Sequence, residues 1–245
     1  MKMLLFLFIS ILILVILRGF IFKEDIKKED DFDEDAFDNK IRVGNGQLIG
    51  QKEYQNDYFS ILYNKDGSLF ASIADGISEK KDGKNASLLT IEILKNNFLN
   101  KTYENLGIEK FYIESLKEIN KRMKDTAQGN KTGSKLISII IRNGFLHYAS
   151  VGNCLLLIYR NNELMEINDI KTGEMEINKI KIIKGDIAIL CSKGIYKSLM
   201  EMEIICEITE GNHPYKKCQN LIRQIQQKHL KNQDNGTLII VEEMI

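Results

Sequence analysis

A single proline, Pro214, in 245 residues excludes a collagen-like chain and a proline-rich linker. There is no surplus of charge of either sign: 34 basic and 34 acidic residues give a formal net charge of zero. That argues against a nucleic-acid partner recruited by bulk charge, although not against a local patch. Cysteine is scarce and lacks any ligand pattern. Cys154, Cys191, Cys206 and Cys218 form no C-x-x-C pair and have no histidine at zinc spacing. Set among apolar neighbours, they read as buried free thiols in a reducing compartment. The three histidines, His147, His213 and His229, are scattered and read as surface or internally satisfied groups. What is present is ordinary for a globular chain, 44% hydrophobic and 28% charged, with length enough for a large core.

The zero net charge hides an asymmetry. Between Glu24 and Asp38 stand nine acids and two lysines, whereas residues 39–245 carry 29 bases and 25 acids. Ahead of the acidic stretch, Met3 to Leu17 is an apolar run, extended past Arg18 and Gly19 by Phe20, Ile21 and Phe22. About twenty residues suffice to span a bilayer if Arg18 snorkels. A cleaved signal peptide is the rival, but Arg-Gly-Phe-Ile-Phe is no small-x-small cleavage site. The expectation is an N-terminal transmembrane anchor over residues 1–22, an acidic tether over 23–38 and a domain over 39–245. Arg18, Lys23, Lys27 and Lys28 outnumber Lys2 across the run, which orients the body toward the cytoplasm.

The body is strand-rich. Asp57–Asn64 and Ser68–Ala74 read as two strands joined at Lys65-Asp66-Gly67. Lys84–Phe98 and Ile108–Met123 carry helical spacing, the second through Tyr112, Leu116, Ile119 and Met123. Ser134–Arg142, Phe145–Val151 and Cys154–Arg160 follow as strands, with Glu163–Asn168 extending the meander. Gly185–Ser192 is a further strand, Pro214 opens a helix to about Leu230, and Gly236–Glu242 closes as a strand. This order predicts an α+β domain with mainly antiparallel pairing.

Two glycine-rich strings carry no chemistry. Gly44-Asn45-Gly46 reaches its next glycine, Gly50, too late for a dinucleotide fingerprint, and Gly129–Lys135 has serine before lysine, the reverse of a phosphate loop. Ser192-Lys193 suggests a dyad, but neighbours on a strand point to opposite faces. The carboxylates are more informative. Asp57 starts one strand, Asp75 ends its partner just before Gly76, and Asp234-Asn235 precedes the last strand. An aspartate at a strand end beside glycine suits a hard cation, although each taken singly is also a common turn.

Taken in order, Gln55-Asn56-Asp57, Ala74-Asp75-Gly76, Thr132-Gly133-Ser134, Ala149–Cys154 (ASVGNC), Gly185–Gly194 (GDIAILCSKG) and Asp234–Thr237 (DNGT) resemble the protein phosphatase 2C (PPM) family. The likeness runs over about residues 46–245. It implies an antiparallel β-sandwich flanked by helices, with two manganese or magnesium ions at one edge that share a water attacking a phosphoserine or phosphothreonine. By position, Asp75 would bridge both ions, the Gly76 carbonyl and Asp234 would each bind one, and Asp57 would support the metal-bound waters.

The departures from that pattern fall on the chemistry. Lys193 stands where the resemblance implies a metal-binding aspartate, Asn153 where it implies an outer-metal aspartate, Asn56 where it implies an acid, and Lys52 where it implies a phosphate-binding arginine. Arginine holds phosphate in a fork that lysine lacks. The expectation is one ion or none, with Lys193 as an internal counter-ion to Asp75 and Asp234. Two functions follow: a membrane-anchored phosphatase-like domain of weak or absent catalysis that regulates a phosphoprotein or partner kinase, or an active manganese- or magnesium-dependent serine/threonine phosphatase.

Overall fold

The computed structural model describes residues 41–77, 81–126 and 133–243. The expected anchor and tether, and residues 129–132 of the Gly129–Lys135 string, lie outside the described residues. Among the described residues no helix is long and apolar enough to cross a membrane.

Among the described residues ten strands form two five-stranded sheets in which every pair is antiparallel. One sheet has the order β2 (Asp57–Tyr63), β3 (Leu69–Gly76), β4 (Ser134–Arg142), β5 (Phe145–Val151), β8 (Glu176–Lys181). The other runs β1 (Ile41–Leu48), β10 (Gly236–Glu243), β9 (Ile187–Cys191), β6 (Leu155–Arg160), β7 (Glu163–Glu166). Side chains alternate along each strand, so one face of each sheet meets the other sheet and one meets helices. On β3, Leu69, Ala71 and Ile73 fill the layer between the sheets, while Phe70 and Ala74 face outward. Central strands are therefore apolar on both faces.

Helices α1 (Lys81–Leu99), α2 (Thr102–Leu106) and α3 (Ile108–Thr126) cover the first sheet through Phe98, Phe111, Tyr112 and Leu116. Helices α4 (Lys193–Tyr196), α5 (Glu201–Ile208) and α6 (Pro214–Gln227) cover the second through Ile204, Cys218, Leu221 and Ile225. The result is the expected sandwich of two antiparallel sheets flanked by helices.

Several local expectations change. Gly44-Asn45-Gly46, read above only as no dinucleotide fingerprint, lies inside β1. A Cβ on Gly44 would sit 2.1 Å from the Pro214 carbonyl carbon and one on Gly46 2.8 Å from Ile222, so these glycines let α6 lie directly on the strand. The strand ending near Ser192 stops at Cys191; Ser192 holds the position just before α4 without a side-chain capping bond, and Lys193 is that helix's first residue. The helix opened by Pro214 ends at Gln227, and His213 caps it by accepting from the Tyr215 amide at 3.2 Å. Cys154, Cys191 and Cys218 are buried free thiols, but Cys206 is exposed.

Candidate functional site

The site grows out of strand register. In the first sheet Asp57 on β2 stands opposite Asp75 on β3, and Asp75 stands opposite Lys135 on β4. Directly opposed residues share a face and lie about 5 Å apart at Cβ. Three charged side chains thus form a row across three strand ends. Alternation from Leu69, Ala71 and Ile73 turns that row toward the second sheet.

The second sheet meets it with hydroxyls. Ser192 Oγ donates to Asp57 Oδ2 at 2.7 Å and Thr237 Oγ1 donates to the same oxygen at 2.9 Å. Ser192 Oγ in turn accepts the Thr237 amide at 2.9 Å, which ties the end of β9 to the start of β10. Asp57 is only 2% exposed. Burial, then the nearby Asp75 carboxylate, push its carboxyl up to about 7, against the pull of the two hydroxyls.

Lys135 Nζ donates to Asp75 Oδ2 at 2.9 Å, with the two side chains 23% and 15% exposed. Burial disfavours its charge, but Asp75, by charge and by hydrogen bond, and Asp234 together hold the ammonium above its ordinary value. The lysine stem lies on Gly152, whose φ is +82° and where a Cβ would stand 2.8 Å from Lys135 Cγ. Glycine at that turn supplies both the left-handed backbone and the space for the lysine.

The other sequence-derived residues surround this row. The Gly76 amide donates to the Asn56 carbonyl at 3.1 Å, and a Cβ on Gly76 would stand 2.1 Å from the Gly83 carbonyl oxygen, so the first turns of α1 press on the strand end. The buried Asn56 donates its amide to Asn235 Oδ1 at 2.9 Å. Asp234 receives its own Asn235 amide at 3.0 Å and lies 3.8 Å from Lys52 Nζ, both side chains being partly open to solvent. Among the described residues Asn153 Oδ1 is buried without a hydrogen-bond partner, while its carbonyl accepts the Tyr196 hydroxyl at 3.1 Å.

Lys193 does not have the counter-ion geometry expected of it. It is exposed, and among the described residues the ion pairs of Asp75 and Asp234 are with Lys135 and Lys52. Because the chain turns into α4 at Ser192, the next side chain leaves the sheet edge. Lys135 supplies the cation instead. The sequence held a signal for it: Lys135 directly follows Gly133-Ser134, and a register count from Asp75 across β3 and β4 brings the two together.

These donors do not fit a pair of divalent cations. Of the four side-chain positions where the resemblance implies aspartate ligands, Asp75 and Asp234 are acidic, Asn153 is neutral and Lys193 is cationic. Asp75 already faces an ammonium. Among the described residues no three His, Cys, Asp or Glu side chains are grouped to hold one ion.

A cleft of about 380 Å3 adjoins the row, lined by Gln47, Gln55, Asp57, Tyr58, Phe59 and Lys84. Another of about 370 Å3 lies on the other face of the first sheet, against the helices, past Ile77, Met123, Ser134, Val151 and Met175. A larger cavity of about 740 Å3, between the start of α3 and β8, shares no residue with the site.

No protein-family model matches the chain, and no curated protein matches it in sequence. Solved structures do. The serine/threonine phosphatase of S. agalactiae aligns at TM-score 0.72 and 18% identity, covering 82% of this chain and 99% of that one. The Mycobacterium tuberculosis serine/threonine phosphatase PstP/Ppp aligns at TM-score 0.70 and 16% identity, covering 84% and 99%. The catalytic domain of PstP in complex with two manganese ions aligns at TM-score 0.67 and 16% identity, covering 82% and 97%. The chain has the fold of the protein phosphatase 2C-type serine/threonine phosphatases.

Proposed function

We propose that this chain is a membrane-tethered phosphatase-fold module that regulates a phosphoprotein or its kinase by binding, with metal-dependent hydrolysis weak or absent. The observation that carries the reading is the Lys135–Asp75 ion pair at 2.9 Å. Asp75 is the residue the resemblance makes central to both metals, and here its charge is met by an ammonium. At an effective dielectric near 20, two unit charges about 4 Å apart interact by about 4 kcal/mol, and a divalent ion would meet twice that in repulsion from an ammonium at that distance. Lys193 and Asn153 contribute no negative charge to offset it. Without paired metals a water at this edge has no strong activation. The phosphoprotein partner rests on fold analogy with the serine/threonine phosphatases. The tether rests on the apolar run from Met3 to Leu17 and the acidic stretch from Glu24 to Asp38.

The test is phosphopeptide and aryl-phosphate hydrolysis by the full chain in detergent with added manganese, beside Asp75→Asn. The expected result is no manganese-dependent turnover above the variant. Turnover that needs manganese and disappears in Asp75→Asn would overturn the reading in favour of an active metal-dependent serine/threonine phosphatase. Protease protection of the body in sealed inverted vesicles tests the tether: a cytoplasmic body is digested there, and a protected one reverses the orientation.

A further inference from the structure

We infer that Lys135 is a built-in cation of the site: its ammonium supplies the positive charge that the carboxylates of this sheet edge require, and it frees the fold from dependence on a divalent metal. The inference rests on the proposed reading of the site as non-metallic and adds what replaces the metal and what that does for the fold.

Three observations carry it. First, register fixes Lys135 opposite Asp75, which itself stands opposite Asp57. The ammonium therefore lies at the end of a carboxylate row that no other lysine reaches among the described ion pairs, Lys52 being on Asp234 at the open rim. Second, the lysine is seated. Its stem lies against Gly152, where any Cβ would collide with it, and its side chain is 23% exposed, less than that of Lys52 at 33%. A lysine merely tolerated at a strand end would swing into water, since holding a four-carbon stem in place costs rotamer entropy. Third, the surroundings are acidic without it. Asp57 and Asp75 are cross-strand partners on one face, and Asp57 is buried under the Ser192 and Thr237 hydroxyls. Removing the ammonium leaves carboxylates facing one another at a sheet edge with little water to screen them.

The measurement is thermal melting of the full chain in detergent, in chelator and in excess manganese chloride. The wild-type protein melts at the same temperature in both. Lys135→Ser melts lower in chelator, by about 2–4 °C for a chain of this size, and manganese restores at least half of the loss, because the vacated position then favours a cation. Lys135→Arg keeps the wild-type melting temperature. The inference is overturned if manganese raises the wild-type melting temperature, if Lys135→Ser melts like wild type in chelator, or if manganese fails to restore it. Should Lys135→Ser not fold, Lys135→Gln and the double variant Lys135→Gln/Asp75→Asn decide. The double melts above the single if Lys135 acts by neutralising Asp75, and equal or lower melting of the double sinks the idea. Because the readout is melting and not turnover, this inference and the proposed function fail separately: manganese-dependent hydrolysis contradicts the function, and an unmoved melting temperature in Lys135→Ser contradicts only the role given to the lysine.

Discussion

Asp57 is 2% exposed and shares its pocket with Asp75, Ser192 and Thr237. Its carboxyl titrates at about 7 in the fold against an ordinary value of 3.8, with burial as the main cause and the Asp75 charge next. Between these two values the folded chain keeps a proton that the unfolded chain gives up, so stability falls as the pH rises through the interval. The contribution is complete below about pH 4 and lost above about pH 7, and a shift of that size bounds it at about 4 kcal/mol. Lys135 is also raised, but its contribution is lost only above its ordinary value of 10.5 and does not enter the same interval. Urea unfolding at pH 5 and pH 8 tests this. The wild type should lose about 2–4 kcal/mol more over that range than Asp57→Asn, whose amide does not titrate. An equal loss in both would mean that Asp57 is ionised throughout.

At the scale of elements, α6 is fastened to the second sheet by a buried charge. Lys217 Nζ donates to Glu242 Oε1 on β10 at 2.5 Å and to the Ile208 carbonyl at the end of α5 at 2.6 Å, and Arg42 on β1 reaches the other Glu242 oxygen at 2.8 Å. Lys217 and Glu242 are 3% and 6% exposed. Removing one partner leaves a buried charge with part of its compensation gone, so Lys217→Met should cost about 3 kcal/mol. Lys217→Met/Glu242→Leu should recover most of that loss, since no buried charge remains and Arg42 can turn to solvent. Additive losses in the double variant would show that the two side chains contribute independently.

The same scale explains what was legible in the sequence. β2 to β6, α1, α3 and α6 announced themselves because the strands are apolar runs bounded by turn residues and the helices repeat apolar positions along one face. β1 did not, because Gly44 and Gly46 are dictated by the backbone of α6 some 170 residues away and look locally like a loop. α4 and α5 are too short to show a period, and β8 is a half-exposed edge strand. At the site, Asp57, Asp75 and Asp234 were legible as carboxylates at strand ends. Lys135 was legible only through a register count from Asp75, since its meaning depends on cross-strand pairing and on Gly152, neither of which a local motif records. Lys193 misled for the complementary reason. Position in a motif identified it, but the helix that begins there turns its side chain away.

At the scale of the whole molecule, the three apolar layers share strands and so cannot open independently. On β9, Ala188 and Leu190 face the layer between the sheets while Ile189 and Cys191 face the helices, and on β10 Ile239 and Val241 oppose Leu238 and Ile240 in the same way. Stripping the α4–α6 layer therefore exposes one face of strands whose other face holds the sandwich together. The cysteines report on this coupling. Cys154 lies between the sheets, Cys191 and Cys218 lie under the helices, and Cys206 faces solvent. Burial raises the three interior thiols, Cys191 to about 12, so they are protonated as well as shielded. A thiol reagent should therefore modify one cysteine quickly in the native protein and the remaining three together, at a common rate that follows global unfolding as urea is raised. Mass spectrometry of the labelled peptides separates the cases. Early labelling of Cys218 alone would mean that α6 opens as its own unit and that the layers are less coupled than their shared strands require.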